Sequence, residues 1–360
     1  MHGSHNISHA SQRRGAVFGV AAAALFGIST PAAKLLLPEC NPIALASLLY
    51  LGAAAALFGA EFARRSRGTP TAEAPLKASD LPLLFGMIVS GGLLGPVLML
   101  FGLARLSAVA ASLLLNLEAP FTIVIAVLAF GEHLARRESV AAVLIVGGAV
   151  ALSGGFEHVS AEVIGALAIA GACLCWAIDN NLTQRLSLRD PVAIVRLKAL
   201  GTGAGNLLIA LALGAQFPSR PAPFCGALLL GAVSYGMSIL LDTYALRLIG
   251  AAREAAYFAT APFFGALTAV FVLGEGFGWL DLIAAALLAT GVGLLVAERH
   301  EHEHVHEVLT HDHLHFHDEH HRHEHPDTVA AEAHAHAHAH RPLRHAHRHA
   351  SDVHHRHPHQ

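Results

Sequence analysis

Apolar residues fall in ten long runs separated by short polar breaks, at about residues 16–37, 42–63, 81–104, 107–130, 138–154, 162–186, 191–214, 223–246, 250–273 and 278–297. A helix needs about 20 apolar residues to cross a hydrocarbon core of roughly 30 Å, and most of these runs are that long. Lipid offers no partner to a backbone N–H or C=O, so a continuous apolar run can span only as a helix. A closed barrel would need short alternating strands, which the chain lacks here. The pattern therefore predicts an all-α polytopic membrane protein with ten transmembrane helices.

The runs divide into two sets of five, and the second set echoes the first. Near the start of each set stands an aromatic-led run, LFGISTPAAKLLLPECNP from Leu25 and CWAIDNNLTQRLSLRDP from Cys175. Near the end of each stands a proline-bearing run closed by Gly-Glu, NLEAPFTIVIAVLAFGE ending at Glu132 and FATAPFFGALTAVFVLGE ending at Glu275. The two Gly-Glu pairs lie 143 positions apart (274 − 131). A repeat of this length is duplication of a whole module. Five spans is an odd number, so the second module enters the membrane upside down relative to the first. That arrangement belongs to secondary transporters. The expected organisation is a cytoplasmic segment at 1–15, a first five-helix repeat at 16–156, a second at 157–297 and a tail at 298–360.

Composition sharpens the class. Charged residues make up 14% of the chain, against roughly 25% in soluble domains. The few that remain report orientation. With the amino terminus inside, the inner loops carry Arg13, Arg14, Arg64, Arg65, Arg67, Lys77, Arg136, Arg137, Arg185, Arg189, Arg247 and Arg299, whereas the outer loops carry only Arg105 and Arg220. Cytoplasmic loops are the ones enriched in arginine and lysine, so both termini are expected inside an inner (plasma) membrane. Arg13-Arg14 before an alanine-rich run looks like a signal peptide, but the counterpart of that run opens the second repeat, so it is expected to stay as a helix. Cys40, Cys173, Cys175 and Cys225 lack the spacing of a redox or zinc site and are expected to be small packing residues.

After Val296 the character changes. The segment from His300 onward holds 23 of the 28 histidines, mostly at alternate positions and interleaved with Asp, Glu and Ala. Such low-complexity sequence has no apolar core to bury, and it is expected to be disordered without a ligand. Neutral imidazole is a common ligand for Zn²⁺, Ni²⁺, Co²⁺ and Cu²⁺, and the neighbouring carboxylates add oxygen donors. The candidate metal ligands are His302, His304, His306, His311, His313, His315, His317, His320, His321, His323, His325, His334, His336, His338 and His340. No single coordination sphere stands out, and a solvated spacer is the alternative. No cofactor is required.

Ionisable groups inside spans are costly in lipid and are functional candidates by default. Glu118 sits in span four, two residues before Pro120. A proline inside a helix removes a backbone hydrogen bond and kinks it, freeing carbonyls to line a cavity. Thr260 and Pro262 hold the matching place in span nine, so spans four and nine are the expected broken pair around a midplane site. Glu118 is either a proton carrier, a counter-charge to an ammonium group, or a structural carboxylate paired with a neighbouring helix. Lys34 in span one either holds an anionic group, pairs with a carboxylate, or snorkels to the interface. Asp179, Asn180 and Asn181 in span six line the cavity or join helices. Arg253 and Glu254, adjacent at the inner end of span nine, form a gate or an interfacial ion pair. Glycine patches such as Gly201 to Gly205 lie mid-span with no preceding strand, which excludes a phosphate loop. No Ser-His-Asp or Cys-His set is visible, so no enzyme is expected.

The segments Ser107 to Glu132 and Gly250 to Glu275, each a proline helix closed by Gly-Glu, resemble the EamA type of the drug/metabolite transporter superfamily. The resemblance covers about 16–297 and excludes the tail. It implies a ten-helix carrier with a central cavity between the halves, often an exporter of amino acids or other metabolites. The function expected is secondary-active export of a small metabolite or amino acid by alternating access, with a metal-binding tail. The alternatives are a divalent Zn, Ni or Co efflux carrier, or a membrane-anchored metal sensor or buffer. Expected partners are membrane lipid, a small-molecule substrate and divalent metal ions, with a homodimer possible and no nucleic acid.

Overall fold

The computed structural model describes residues 3–68, 74–130, 136–152, 161–186, 189–249, 257–276 and 278–296, and in the tail 300–306, 310–315, 334–339 and 343–349. Up to Val296 the described elements are all helices. The helices are α1 (Gly3–Leu36), α2 (Pro42–Ser66), α3 (Leu81–Met87), α4 (Gly95–Leu103), α5 (Ala108–Leu114), α6 (Glu118–Phe130), α7 (Arg136–Leu152), α8 (Ala161–Leu186), α9 (Pro191–Ala212), α10 (Pro221–Leu230), α11 (Ser238–Ile249), α12 (Ala261–Leu273) and α13 (Trp279–Val296). Seven helical stretches among the described residues are long and apolar enough to cross a membrane. Three shorter apolar helices, Ser139–Leu152, Ala261–Leu273 and Trp279–Leu294, fall on the remaining predicted runs. Up to Val296 the chain is thus an all-helical polytopic membrane protein, and α1 begins at Gly3, well before the predicted first span.

The helix starts follow from local chemistry. Asn41 caps α2 by accepting from Ile43 N at 2.9 Å, and Asp190 caps α9 by accepting from Val192 N at 2.9 Å and Ala193 N at 3.2 Å. Each cap is followed by a proline, Pro42 or Pro191, at a position whose N–H would have no partner anyway. These two matched helices then pack along each other, one from each repeat. The other main helix pairs also cross between repeats: α7 with α13, α1 with α11 and α12, and α4 with α8. The apolar core, including Leu45, Leu49, Met99, Leu100, Ile169 and Leu288, runs through both halves without a seam.

Two spans contain a stretch of π-helix. Ile88–Leu94 joins α3 to α4, and Gly231–Met237 joins α10 to α11. They are separated by the same 143 residues as the Gly-Glu pairs, so duplication has kept the wider turn in place. A π-helix inserts an extra residue into the turn and loosens the backbone ladder, often at a functional position.

Span four is broken, as expected of a proline run, but the break precedes the proline. A 3₁₀ turn, Leu115–Leu117, separates α5 from α6. Span nine is broken in the same way: Tyr257 and Phe258 are helical, a turn over Ala259 and Thr260 follows, and, as Pro120 falls in the first turn of α6, Pro262 falls in the first turn of α12. Its missing N–H costs nothing there.

In the tail the described segments form strands, where sequence analysis expected no order: β1 (His300–His306) pairs with β4 (Leu343–His349), and β2 (Thr310–His315) with β3 (His334–Ala339), both antiparallel. The alternation that marks this sequence as low-complexity is also the two-residue period of a strand.

Candidate functional site

The break in span four supplies the first part of the site. Freed carbonyls at the end of α5 find side-chain partners: Asn116 Nδ2 donates to Leu113 O at 3.1 Å, and Cys173 Sγ lies 3.7 Å from both Leu114 O and Leu115 O. Cys173 is therefore more than a space-filler; its thiol is a weak donor to a broken helix. Glu118 opens α6, and its Oε1 accepts from Asn180 Nδ2 of α8 at 2.5 Å. One residue comes from each repeat. Thr122 Oγ1 donates back to Glu118 O at 2.9 Å, steadying the first turn of α6. Pro120 is buried behind them.

The second part is an ion pair within the second repeat. Lys198 Nζ of α9 bonds Asp179 Oδ2 of α8, with the Asp179 side chain buried and that of Lys198 partly so. Asp179, Asp242 and Lys198 all lie near enough to Glu118 to act on its charge. Asn181, beside this pair, donates to Ala177 O at 2.8 Å within its own helix, which makes it a helix-joining residue only through its longer contact to Thr122 O at 3.5 Å.

The third part is the π-helical segment of span three. Trp176 Nε1 donates to Gly91 O at 3.0 Å, Tyr50 OH reaches the same carbonyl at 3.5 Å, and Asn206 Nδ2 reaches Gly92 O at 3.5 Å. A Cβ on Gly91 would stand 2.3 Å from Asp179 Oδ2, and one on Gly92 would stand 1.9 Å from Thr202 Oγ1. Only glycine lets this backbone press against the polar side chains. Asp179 Oδ1 and Thr202 Oγ1 remain buried without a hydrogen-bond partner. Buried polar atoms are rarely left so, and such atoms mark places where a further group binds. Around them stands an aromatic cluster in which Phe26 meets Trp176 at 6.1 Å, Tyr235 at 5.9 Å and Phe258 at 5.4 Å, and Tyr50 meets Tyr235 at 5.3 Å.

The structure brings Glu118, Asp179, Asn180 and Asn181 together and takes Lys34 away. Lys34 pairs with Glu275 at 3.6 Å and donates to Leu106 O, at the end of the bundle and not in the centre. Of the options open for it, pairing with a carboxylate is the one realised. Thr260 holds the turn before α12 by donating to Tyr257 O at 2.6 Å, and Pro262 is buried next to it. Arg253 and Glu254 lie outside the described residues, as do His317, His320, His321, His323, His325 and His340. Among the described residues, no three His, Cys, Asp or Glu side chains gather in a way that would hold a metal ion. Sequence reasoning missed Lys198, although a lysine inside a span is the same signal as Glu118. It also missed Tyr50, Trp176 and Tyr235, whose scarcity was a clue in a chain with two tryptophans and four tyrosines.

A helical bundle of two interlocked halves, with a broken helix and buried charges at their junction, defines the class: a polytopic membrane transporter. The EamA-like transporter family model matches residues 13–154 and again 163–297, once for each repeat, and the chain belongs to that family. It is 31% identical to an uncharacterized transporter of Methanothermobacter thermautotrophicus, over 77% of this chain and 84% of that one. A solved crystal structure, described only as that of a protein, superposes with a TM-score of 0.58 at 19% identity, covering 78% of this chain and 95% of that chain. At that identity the likeness speaks for the fold alone.

Proposed function

We propose that the chain is a secondary-active carrier that exports a small metabolite or amino acid by alternating access, binding it at the junction of the two repeats. The observation that carries this reading is the bond from Asn180 to Glu118, a contact between repeats at the break of span four, beside the Asp179–Lys198 pair. Groups that a rocking motion of one repeat against the other would separate are the ones that have to sense substrate. Asp179 Oδ1, Thr202 Oγ1 and Glu118 supply acceptors, Lys198 and Asn180 supply donors, and the aromatic cluster supplies apolar surface. Glu118 serves as proton carrier or as counter-charge to an ammonium group. The membrane proposed is the inner (plasma) membrane with both termini in the cytoplasm, from the arginine bias of the loops. The test is reconstitution into liposomes with an imposed proton gradient and a screen of amino acids, small metabolites and divalent metals. Flux of an organic solute that Glu118→Gln abolishes or uncouples supports the reading; flux of divalent metal alone would replace it with the metal-carrier alternative.

A second reading concerns the tail. We propose that it binds divalent transition metal and modulates the carrier. The strand register supports this, because His302↔His347, His304↔His345, His311↔His338 and His313↔His336 are paired positions. Calorimetry of full-length protein with Zn²⁺ and Ni²⁺, compared with a chain ending at Arg299, tests it.

A further inference from the structure

The Gly-Glu sequence that closes span nine has a visible local purpose. Gly274 takes the left-handed conformation at φ 69°, which ends α12 and turns the chain back. Glu275 is thereby carried to the start of α5, which belongs to the other repeat. Its Oε1 accepts from Ala108 N and its Oε2 from Val109 N, each at 2.9 Å. Ser107 Oγ accepts from Ala110 N at 3.0 Å, so the first three N–H groups of α5 are satisfied, two of them by a carboxylate 167 and 166 positions away. Lys34 of α1 completes the knot, paired to Glu275 and donating to Leu106 O. Spans one, four and nine are tied at one point. Beneath it lies Ser112, one turn further along α5, fully buried against Gly265 of α12.

We propose that the Gly274-Glu275 turn is a latch that seals this end of the carrier, with the Glu275 carboxylate as its bolt and Lys34 as its keeper. The inference rests on the carrier reading. For this end to open, α12 must draw away from α5, and at its tip Glu275 is tied to α5 by two hydrogen bonds and to α1 by an ion pair, which break and reform whole. Packed apolar surface would slide instead. By the loop charges this end faces outward. Glu275 and Lys34 are on this account positioning residues, and they do not touch substrate.

The test needs no substrate. In full-length protein with Cys175 and Cys225 replaced by serine, leaving the buried Cys40 and Cys173, Ser112→Cys is labelled with a membrane-impermeant maleimide. With the latch intact, labelling is slow. Glu275→Ala removes both charge-assisted acceptors and is expected to speed labelling by at least about tenfold, with Lys34→Met giving a smaller rise because both backbone bonds remain. Amide exchange over residues 106–112 is measured alongside. Faster exchange in Glu275→Ala with unchanged labelling would make the carboxylate a static cap and overturn the latch. If Glu275→Ala fails to insert, Glu275→Gln, which keeps one acceptor oxygen, takes its place: faster labelling supports the proposal and unchanged labelling overturns it. Solute flux in liposomes stands apart from all of these outcomes, so the latch can fail while the carrier reading survives.

Discussion

The two π-helical segments began as copies and now do different work. In span three, Ile88–Leu94 turns its glycine carbonyls toward Tyr50, Trp176 and Asn206 and presses against Asp179 and Thr202. In span eight, Gly231–Met237 keeps the backbone geometry but places Gly231 against the Leu49 backbone, with Tyr235 stacked among Tyr50 and Phe26. Where the first copy has Gly91 and Gly92, the second has Ser234 and Tyr235. Duplication preserved a backbone device and left the side chains free to diverge. The polar site gathers at one of the two, so the carrier is symmetric in frame and asymmetric in chemistry.

The largest expected break in that comparison comes from Asp179. Asp179→Ala leaves the partly buried Lys198 ammonium unpaired, a cost of up to about 3–5 kcal/mol. Thermal unfolding in detergent should show it, and Asp179→Leu with Lys198→Met should recover most of the loss. If the single variant unfolds like the parent, the pair does not hold α8 to α9.

Next come the glycines. Gly92→Ala forces a methyl onto Thr202 and should cost about 1–3 kcal/mol by overpacking. In the second segment Gly236→Ala meets only Ala53, with its nearest atom at 3.3 Å, and should cost less in the same melting assay. Equal effects at both positions would erase the distinction between the copies.

Glu118→Gln separates chemistry from packing. The amide keeps the shape and an acceptor for Asn180, so the melting temperature should hold while proton-coupled flux in liposomes falls. Unchanged flux with unchanged pH dependence removes Glu118 from the site.

Smallest of all is the effect of ending the chain at Arg299, because no helix is lost. Helix content by circular dichroism should not change. Metal binding measured on the full chain should weaken as pH falls from about 7 to 5.5, because protons compete for imidazole near its ordinary value of about 6.5. Dissociation constants weaker than about millimolar at pH 7.5 would reduce the tail to a spacer.

The helices were legible because lipid enforces them. Every predicted apolar run coincides with a helix or part of one, and the 143-residue step was readable from Gly131-Glu132 and Gly274-Glu275 alone. Glu118 and Asp179 were legible for the same reason, since a charge in a span is an outlier. What failed depended on partners distant in the chain. Lys34 belongs to Glu275, 241 positions on by number (275 − 34), and no local pattern announces that. Pro120 and Pro262 marked both breaks, but the turn that precedes each proline, the second held by Thr260, was not readable from the proline alone. The strands of the tail escaped notice because composition argued for disorder while period argued for pairing.

The knot at Glu275 also has a bearing on how the molecule is made. The N–H groups of Ala108 and Val109 are translated long before the carboxylate that satisfies them, and Lys34 emerges earlier still. At synthesis rates of roughly 5–20 residues per second, the 167 residues from Ala108 to Glu275 take on the order of ten to thirty seconds. The Gly91 carbonyl waits likewise for Trp176, 85 residues downstream. For that interval the first half resides in the membrane with its polar backbone unmet by its own chain. Ribosome-bound chains stopped before the second repeat should therefore be the ones most readily cleaved by membrane proteases, and most dependent on whatever shelters unfinished helices during insertion.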